Sequence, residues 1–284
     1  MKKVGILGLI LIALNLNAQT KNEQKLATQW LELTAPELIT AVEKSKGVAI
    51  LPIAIIEKHG AHMPLGTDIY FADQVAKMAT EKEYAVVFPT SWAGQINEAR
   101  HQPGTICYSP KLIWDFLQET LDELARNGFK KIIILNGHGG NVDFLRYFTF
   151  SQLNTKKDYV VLYFTPTANM MRAGHADCAE ASMIKYSHPN LVKDELANTQ
   201  SGEKQKGVQL PTQYTGIWWY AIAPNHYLEL NTTEKIDPIL GKKLYNDDAS
   251  ELAELIKQLK VSNQIEELQN KFFEDAENPL KTKQ

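Results

Sequence analysis

A chain of 284 residues in which 44% of the side chains are hydrophobic can bury one sizeable core, and its formal net charge of -3 leaves no basic footprint for nucleic acid or an anionic membrane. Two cysteines, Cys107 and Cys178, are too few for a disulfide framework, and whether they pair is not legible from sequence. The partner these quantities favour is a small molecule.

The chain opens with Met1-Lys2-Lys3, an apolar run from Val4 to Leu16, and Asn17-Ala18-Gln19. A basic start, an apolar segment too short to span a bilayer and a small residue at the cleavage point predict a signal peptide over residues 1–18. The mature protein is then expected to be exported, periplasmic or secreted, and free of the membrane. A single domain is expected over residues 19–284.

Thr34-Ala35-Pro36-Glu37 predicts a helix start, an N-cap followed by proline and an acidic first turn, with the helix running to Lys44. The β-branched apolar run from Val48 to Ile56 predicts a strand buried on both faces, and therefore part of a parallel sheet. Where it ends, Glu57, His59, His62 and Asp68 follow on a turn shaped by Gly60, Pro64 and Gly66. Two carboxylates and two imidazoles this close together are costly to desolvate without a partner, and a bound cation suits them. The bland alternative is a solvated loop or a helix cap.

The spacing Ile69, Ala72, Val75, Ala76, Ala79 predicts an amphipathic helix, followed by a strand at Ala85–Phe88 and a loop from Pro89 to Thr105. Ser109-Pro110 opens a helix with Leu112, Ile113, Phe116, Leu117, Leu121 and Leu124 on its apolar face and Gly128 at its C-cap. Lys130-Lys131 lead into a buried strand, Ile132–Leu135, which stops at Asn136-Gly137-His138-Gly139-Gly140-Asn141. Glycines around a single imidazole let the backbone approach a ligand closely and let His138 project from the sheet edge. A phosphate-cradling loop is the weaker rival, because neither glycine spacing that cradles phosphate is present. Both loops follow parallel strands and would converge on one edge of the sheet, where a metal between them accounts for both.

Asn141 begins a helix through Phe144, Leu145, Phe148 and Leu153, and Val160–Phe164 is a further strand. The segment Gly174-His175-Ala176-Asp177-Cys178-Ala179-Glu180-Ala181-Ser182-Met183 comes next. On a helix, Glu180 shares a side with Ala176, Asp177 and Met183, so only part of this cluster can face one site. Lys193–Gly216 reads as a long polar loop, a lid or a subunit contact. Ile217-Trp218-Trp219-Tyr220 reads as core packing in preference to an apolar pocket wall. Asp237-Pro238 opens a closing amphipathic helix with Leu240, Leu244, Leu252, Leu255, Ile256 and Leu259, followed by a shorter one at Ile265–Phe273 and a frayed tail from Glu274.

Taken together, the three polar segments resemble the creatininase (creatinine amidohydrolase) family. Its members carry a Glu-Gln-His-Gly-Pro-His-Leu-Pro-Leu-x-Thr-Asp stretch, an Asn-Gly-His-Gly-Gly-Asn loop and a later His-Ala-Gly-Glu-x-Glu-Thr-Ser segment. The first matches Glu57–Asp68, the second is unchanged at Asn136–Asn141, and the third is degraded in His175–Ser182. The resemblance implies an α/β fold, a three-layer α/β/α sandwich with a mostly parallel central sheet. It also implies two divalent metal ions per chain, Zn, Mn or Fe: Glu57 and His138 would hold one, His59 and Glu180 the other, and Asp68 would bridge them. His175 would move protons or stabilise the tetrahedral intermediate. The implied reaction is hydrolysis of a non-peptide C–N bond, of the cyclic-amide or formamide type, in a small-molecule substrate, and a homo-oligomer is expected. Gly140 replaces a glutamate of creatininase itself, Gly174 replaces an acidic residue, and no tryptophan lies between Trp114 and Trp218, so creatinine is not the expected substrate. The reading from another class is a periplasmic binding or scaffold protein that keeps the fold without catalysis.

Overall fold

The computed structural model describes residues 26–167, 174–211, 215–229 and 235–282, and the predicted signal peptide lies outside them. Four strands, β1 (Val48–Ile53), β2 (Val86–Val87), β3 (Lys131–Asn136) and β4 (Val160–Phe164), form a parallel sheet in the order β2-β1-β3-β4. Parallel neighbours need crossover connections, and helices supply them. α1 (Ala35–Ser45) leads into β1, α2 (Thr67–Lys82) joins β1 to β2, α3 (Pro110–Arg126) joins β2 to β3, and α4 (Val142–Ser151) joins β3 to β4. After β4 come α5 (Cys178–Ser187), the short α6 (Trp218–Ile222), α7 (Pro238–Val261) and α8 (Gln264–Glu277).

Alternation along the central strands sorts the helices into two outer layers, because successive side chains point to opposite faces. Val48, Ile50, Ile133 and Leu135 pack against Val75 of α2, Met183 of α5 and Leu252 and Ile256 of α7. Ala49, Leu51, Ile132 and Ile134 pack against Leu117, Leu121 and Leu124 of α3 and Leu145 and Phe148 of α4. The result is the expected three-layer α/β/α sandwich.

Several boundaries differ from those expected. β1 ends at Ile53 rather than Ile56, since the chain leaves the ladder with Ala54 N–H donating to the Ser91 carbonyl at 2.8 Å. β2 is reduced to two residues. α2 starts at Thr67, two residues before the expected Ile69, which places Asp68 inside its first turn. α8 continues to Glu277, so Glu274 is helical instead of lying in a frayed tail. Neither cysteine is in a disulfide. The consequential feature is the register of β1 against β3, which pairs Ile53 with Asn136. Both strands therefore stop together, and the loops carrying Glu57 and His138 leave the same edge side by side.

Candidate metal centre

The loop after β1 turns at Gly60, whose φ of 58° lies in the left-handed region that glycine adopts without strain. That turn sends Glu57 and His59 inward, and both are essentially buried, at 0% and 1% exposure. Asp68 reaches the same point from the first turn of α2, and His138 from the loop after β3. His138 Nδ1 lies 3.1 Å from both Glu57 Oε1 and Asp68 Oδ2, while His59 Nε2 lies 3.2 Å from Asp68 Oδ1 and 3.9 Å from Glu180 Oε2. Yet Glu57 Oε1, Asp68 Oδ2 and His59 Nε2 make no hydrogen bond. Buried polar atoms that converge without hydrogen-bond alignment suit a ligand set around a cation.

Donor atoms of Glu57, Asp68 and His138 lie within 4.8 Å of one another, and so do those of His59, Asp68 and Glu180. Asp68 belongs to both sets. A third overlapping set, Glu57, His59 and His175, meets the same limit. His59 Nδ1 sits 3.3 Å from the Glu57 carbonyl, which can only accept, so in the neutral ring the proton belongs on Nδ1 and the Nε2 lone pair faces the carboxylates. Thus the donor types and their orientation fit a metal.

Glu180 is delivered by the N-terminus of α5. Asp177 caps that helix, its Oδ1 accepting from Ala179 N–H and Glu180 N–H at 3.0 and 3.2 Å and its Oδ2 from Gly174 N–H at 2.6 Å. Departure of the third segment from the family pattern therefore leaves a well-formed cap. Ala176 N–H donates to Glu180 Oε2 at 2.6 Å. His175 is tethered by its backbone, which exchanges two 2.9 Å hydrogen bonds with Leu228. Its Nε2 donates to the Lys58 carbonyl at 2.9 Å, and Nδ1 is left 3.9 Å from Glu57 Oε1.

The metal-free cluster stores protons. Burial alone would push His59 down, but Asp68, Glu57 and Glu180 outweigh it and hold the imidazole at about 9. His138 is likewise carried well above its ordinary value against its burial, chiefly by Glu57 and Asp68. Burial pushes the Glu180 carboxyl up to about 8 despite the attraction of His59. Burial opposes ionisation of Glu57 too, but the imidazoles of His175 and His138 and the bond to His226 hold it well below the usual carboxylate range. Burial lowers His175 to about 3, so it is neutral at neutral pH.

Above the cluster opens a cleft of about 270 Å³ bounded by Phe71, Glu98, His138, Gly140, Trp218 and Trp219. A Cβ on Gly140 would come within 2.5 Å of His138 Nε2 and 2.6 Å of Glu98 Oε1, so glycine is what lets these two side chains close on the backbone here. The tryptophans line this cleft, against the expectation of core packing, and Trp218 is 42% exposed. His62 is not brought to the cluster; its ring packs beside Tyr227 at 6.0 Å. His226 is brought there, with Nε2 against Glu57 Oε2, although sequence reasoning passed over it. It is a single histidine between Asn225 and Tyr227 with no ligand spacing around it, and only its nearness to the tryptophans marks it in the sequence.

Residues 31–256 match the family model described as creatininase, creatinine amidohydrolase. The creatinine amidohydrolase of Pseudomonas putida is 30% identical over 119 residues, covering 40% of this chain and 46% of that one. The mycofactocin precursor peptide peptidase of Mycolicibacterium smegmatis is 34% identical over 159 residues, covering 52% of this chain and 62% of that one. In both cases the chain spans less than two thirds of the relative's length. A solved manganese form of creatininase aligns with a TM-score of 0.65 at 20% identity, covering 82% of this chain and 98% of that one. At that identity the likeness is one of fold.

Proposed function

This chain belongs to the creatininase family, and from that premise we propose that it is a metal-dependent amidohydrolase cleaving a non-peptide C–N bond, of the cyclic-amide or formamide type, in a small molecule. The observation that carries the reading is the pair of converging ligand sets, Glu57–Asp68–His138 and His59–Asp68–Glu180, with Asp68 common to both. Glu57 and His138 would hold one divalent ion, His59 and Glu180 the other, and Asp68 would bridge them; carboxylate with imidazole suits Zn, Mn or Fe. Bound there, the ions would supply Lewis acidity toward an amide carbonyl and a water of lowered pKa.

In this reading His175 would move protons. With its Nε2 proton committed to the Lys58 carbonyl, its Nδ1 lone pair is the atom that can accept a proton and return it to the departing nitrogen. Trp218 and Trp219 wall the cleft and limit water around the reacting bond. Gly140 stands where creatininase carries a glutamate, and His138 and Glu98 occupy the space that a side chain there would need, which supports a substrate other than creatinine.

Export through the N-terminal signal peptide, with release as a periplasmic or secreted protein, is part of the proposal; the mass of the mature chain tests it. So is assembly into a homo-oligomer. Phe116 of α3 and Tyr147 and Phe150 of α4 leave large apolar side chains at 50%, 69% and 65% exposure, which supports a covered face. Light scattering on the purified protein tests that assembly.

Elemental analysis after expression in metal-replete medium, with hydrolysis assays on cyclic amides, formamides and a short peptide, tests the enzyme reading. The expected outcome is about two ions per chain and turnover of a non-peptide amide. A metal-free protein that also refuses added Zn and Mn would end the metal reading. Full metal occupancy without hydrolysis of any amide would favour a binding protein.

A further inference from the structure

His226 is not among the residues to which the proposed chemistry gives a task, yet its surroundings are specific. It is 2% exposed, and its backbone φ of 51° is a left-handed conformation that a residue with a side chain holds only where its surroundings over-determine it. Here they do so from several directions. The His175–Leu228 backbone pair anchors one side, Lys58 Nζ donates to the Asn225 carbonyl at 2.6 Å, and His101 and Gln102 each reach the Pro224 carbonyl at 3.1 Å. The segment Pro224–Leu228 is thereby tied to the loops that carry Glu57, His59 and His175.

Both ring nitrogens of His226 are engaged. Trp219 Nε1–H lies 2.6 Å from Nδ1, and an indole nitrogen can only donate. Nδ1 must then present its lone pair, the proton of the neutral ring sits on Nε2, and Nε2–H donates to Glu57 Oε2. One oxygen of Glu57 is fixed in this way. The other, Oε1, has no hydrogen bond and faces His138 Nδ1 at 3.1 Å.

We propose that His226 is a positioning residue: a Trp219–His226–Glu57 relay sets the tautomer of His226 and aims Glu57 Oε1 at the ion that Glu57 and His138 would share. The inference rests on the metal reading above and extends it to a residue outside the ligand sets. Because Trp219 also walls the cleft, the wall and the carboxylate are one mechanical unit. A change at Trp219 is thus expected to alter metal affinity as well as substrate fit.

The test is a zinc titration, read by competition with a chromogenic chelator, on metal-free wild type, His226→Ala, His226→Gln and Trp219→Phe, each checked for fold by circular dichroism. Wild type is expected to take two ions. His226→Ala should hold one with wild-type affinity and the other about 10- to 100-fold more weakly, the scale for losing a partner of a ligating group. His226→Gln keeps a donor toward Glu57 and should recover most of the loss. Trp219→Phe should weaken the same ion and let the Nδ1-protonated tautomer of His226 appear in ring-nitrogen NMR spectra. Unchanged affinity for both ions in His226→Ala would overturn the proposal; if that variant does not fold, unchanged affinity in Trp219→Phe would do the same. An Nδ1-protonated His226 in the neutral wild type would also overturn it. A wild type that takes up no zinc would instead remove the metal reading and, with it, any role for His226 toward an ion, a result distinct from a loaded wild type with an unaffected His226→Ala.

Discussion

Asp68 faces two imidazoles at once, His59 through Oδ1 and His138 through Oδ2. If the proposed site holds two ions, Asp68→Ala is therefore expected to lose both or hold them weakly, whereas His138→Ala should mainly weaken one, as read by metal content after dialysis. His175 makes a different prediction. His175→Ala should keep both ions and the wild-type fold while turnover, measured at saturating metal, falls by on the order of 10²-fold or more, the usual scale for losing a group that moves protons. Loss of an ion in that variant would make His175 a ligand, in keeping with its place in the third overlapping set. The stored protons supply a pH test. His59, held at about 9, and Glu180, at about 8, must both be deprotonated before they can ligate. Zinc affinity should accordingly climb between pH 6.5 and 9, roughly tenfold per pH unit for each proton displaced, and calorimetry in buffers of different ionisation enthalpy should register proton release.

At the level of elements, the site depends on how α5 is held. Its cap at Asp177 orients the first turn that carries Glu180, and its far side crosses α7 so closely that a Cβ on Gly241 would lie 2.0 Å from the Ser182 carbonyl oxygen. Backbone cannot give way there as a flexible side chain could. Gly241→Ala is expected to destabilise the protein by about 1–3 kcal/mol, measured by chemical denaturation, and to weaken binding of the ion that Glu180 would hold in the proposed site as α5 is displaced. Lys131 shows a related dependence. It begins β3 but is only 6% exposed, and its Nζ donates to the carbonyls of Leu259 and Ser262 at 2.7 and 2.8 Å, at the C-terminus of α7. A cation at a helix C-terminus is favourable, so this lysine ties the sheet to the layer behind the site.

Across the whole molecule, the proton inventory fixes how stability without metal responds to pH. His59 titrates near 6.5 when unfolded and at about 9 when folded, so its contribution is complete below pH 6.5 and disappears as pH rises through 9. Glu180, raised from 4.5 to about 8, acts in the same sense, since folding favours its protonated form and that advantage is lost as pH rises through 8. Metal-free protein should therefore show a falling melting temperature between pH 6.5 and 9, and saturating zinc should flatten or reverse that slope. A metal-free melting temperature that rises through this window would contradict the charge assignment of the cluster.

The sequence by itself determined the alternation of helix and strand, the parallel sheet and the two loops at its edge. These follow from local rules: β-branched runs at Val48 and Ile132 that bury both faces, the proline-led helix starts at Pro36, Pro110 and Pro238, and the glycines around His138. The family pattern placed the residues from Glu57 to Glu180 as candidates, and the three-layer architecture came with it. Tertiary structure alone decided which imidazoles reach the cluster. His62 and His59 sit three residues apart on one loop, and only the backbone turn at Gly60 sends one inward and the other toward Tyr227. His226 enters from a segment far along the chain because backbone pairing at Leu228 holds it beside His175, a contact with no local signature. The tryptophans were expected to be core residues for the same reason: hydrophobicity says that a side chain will leave water, but which surface it covers is set by chain packing from distant elements.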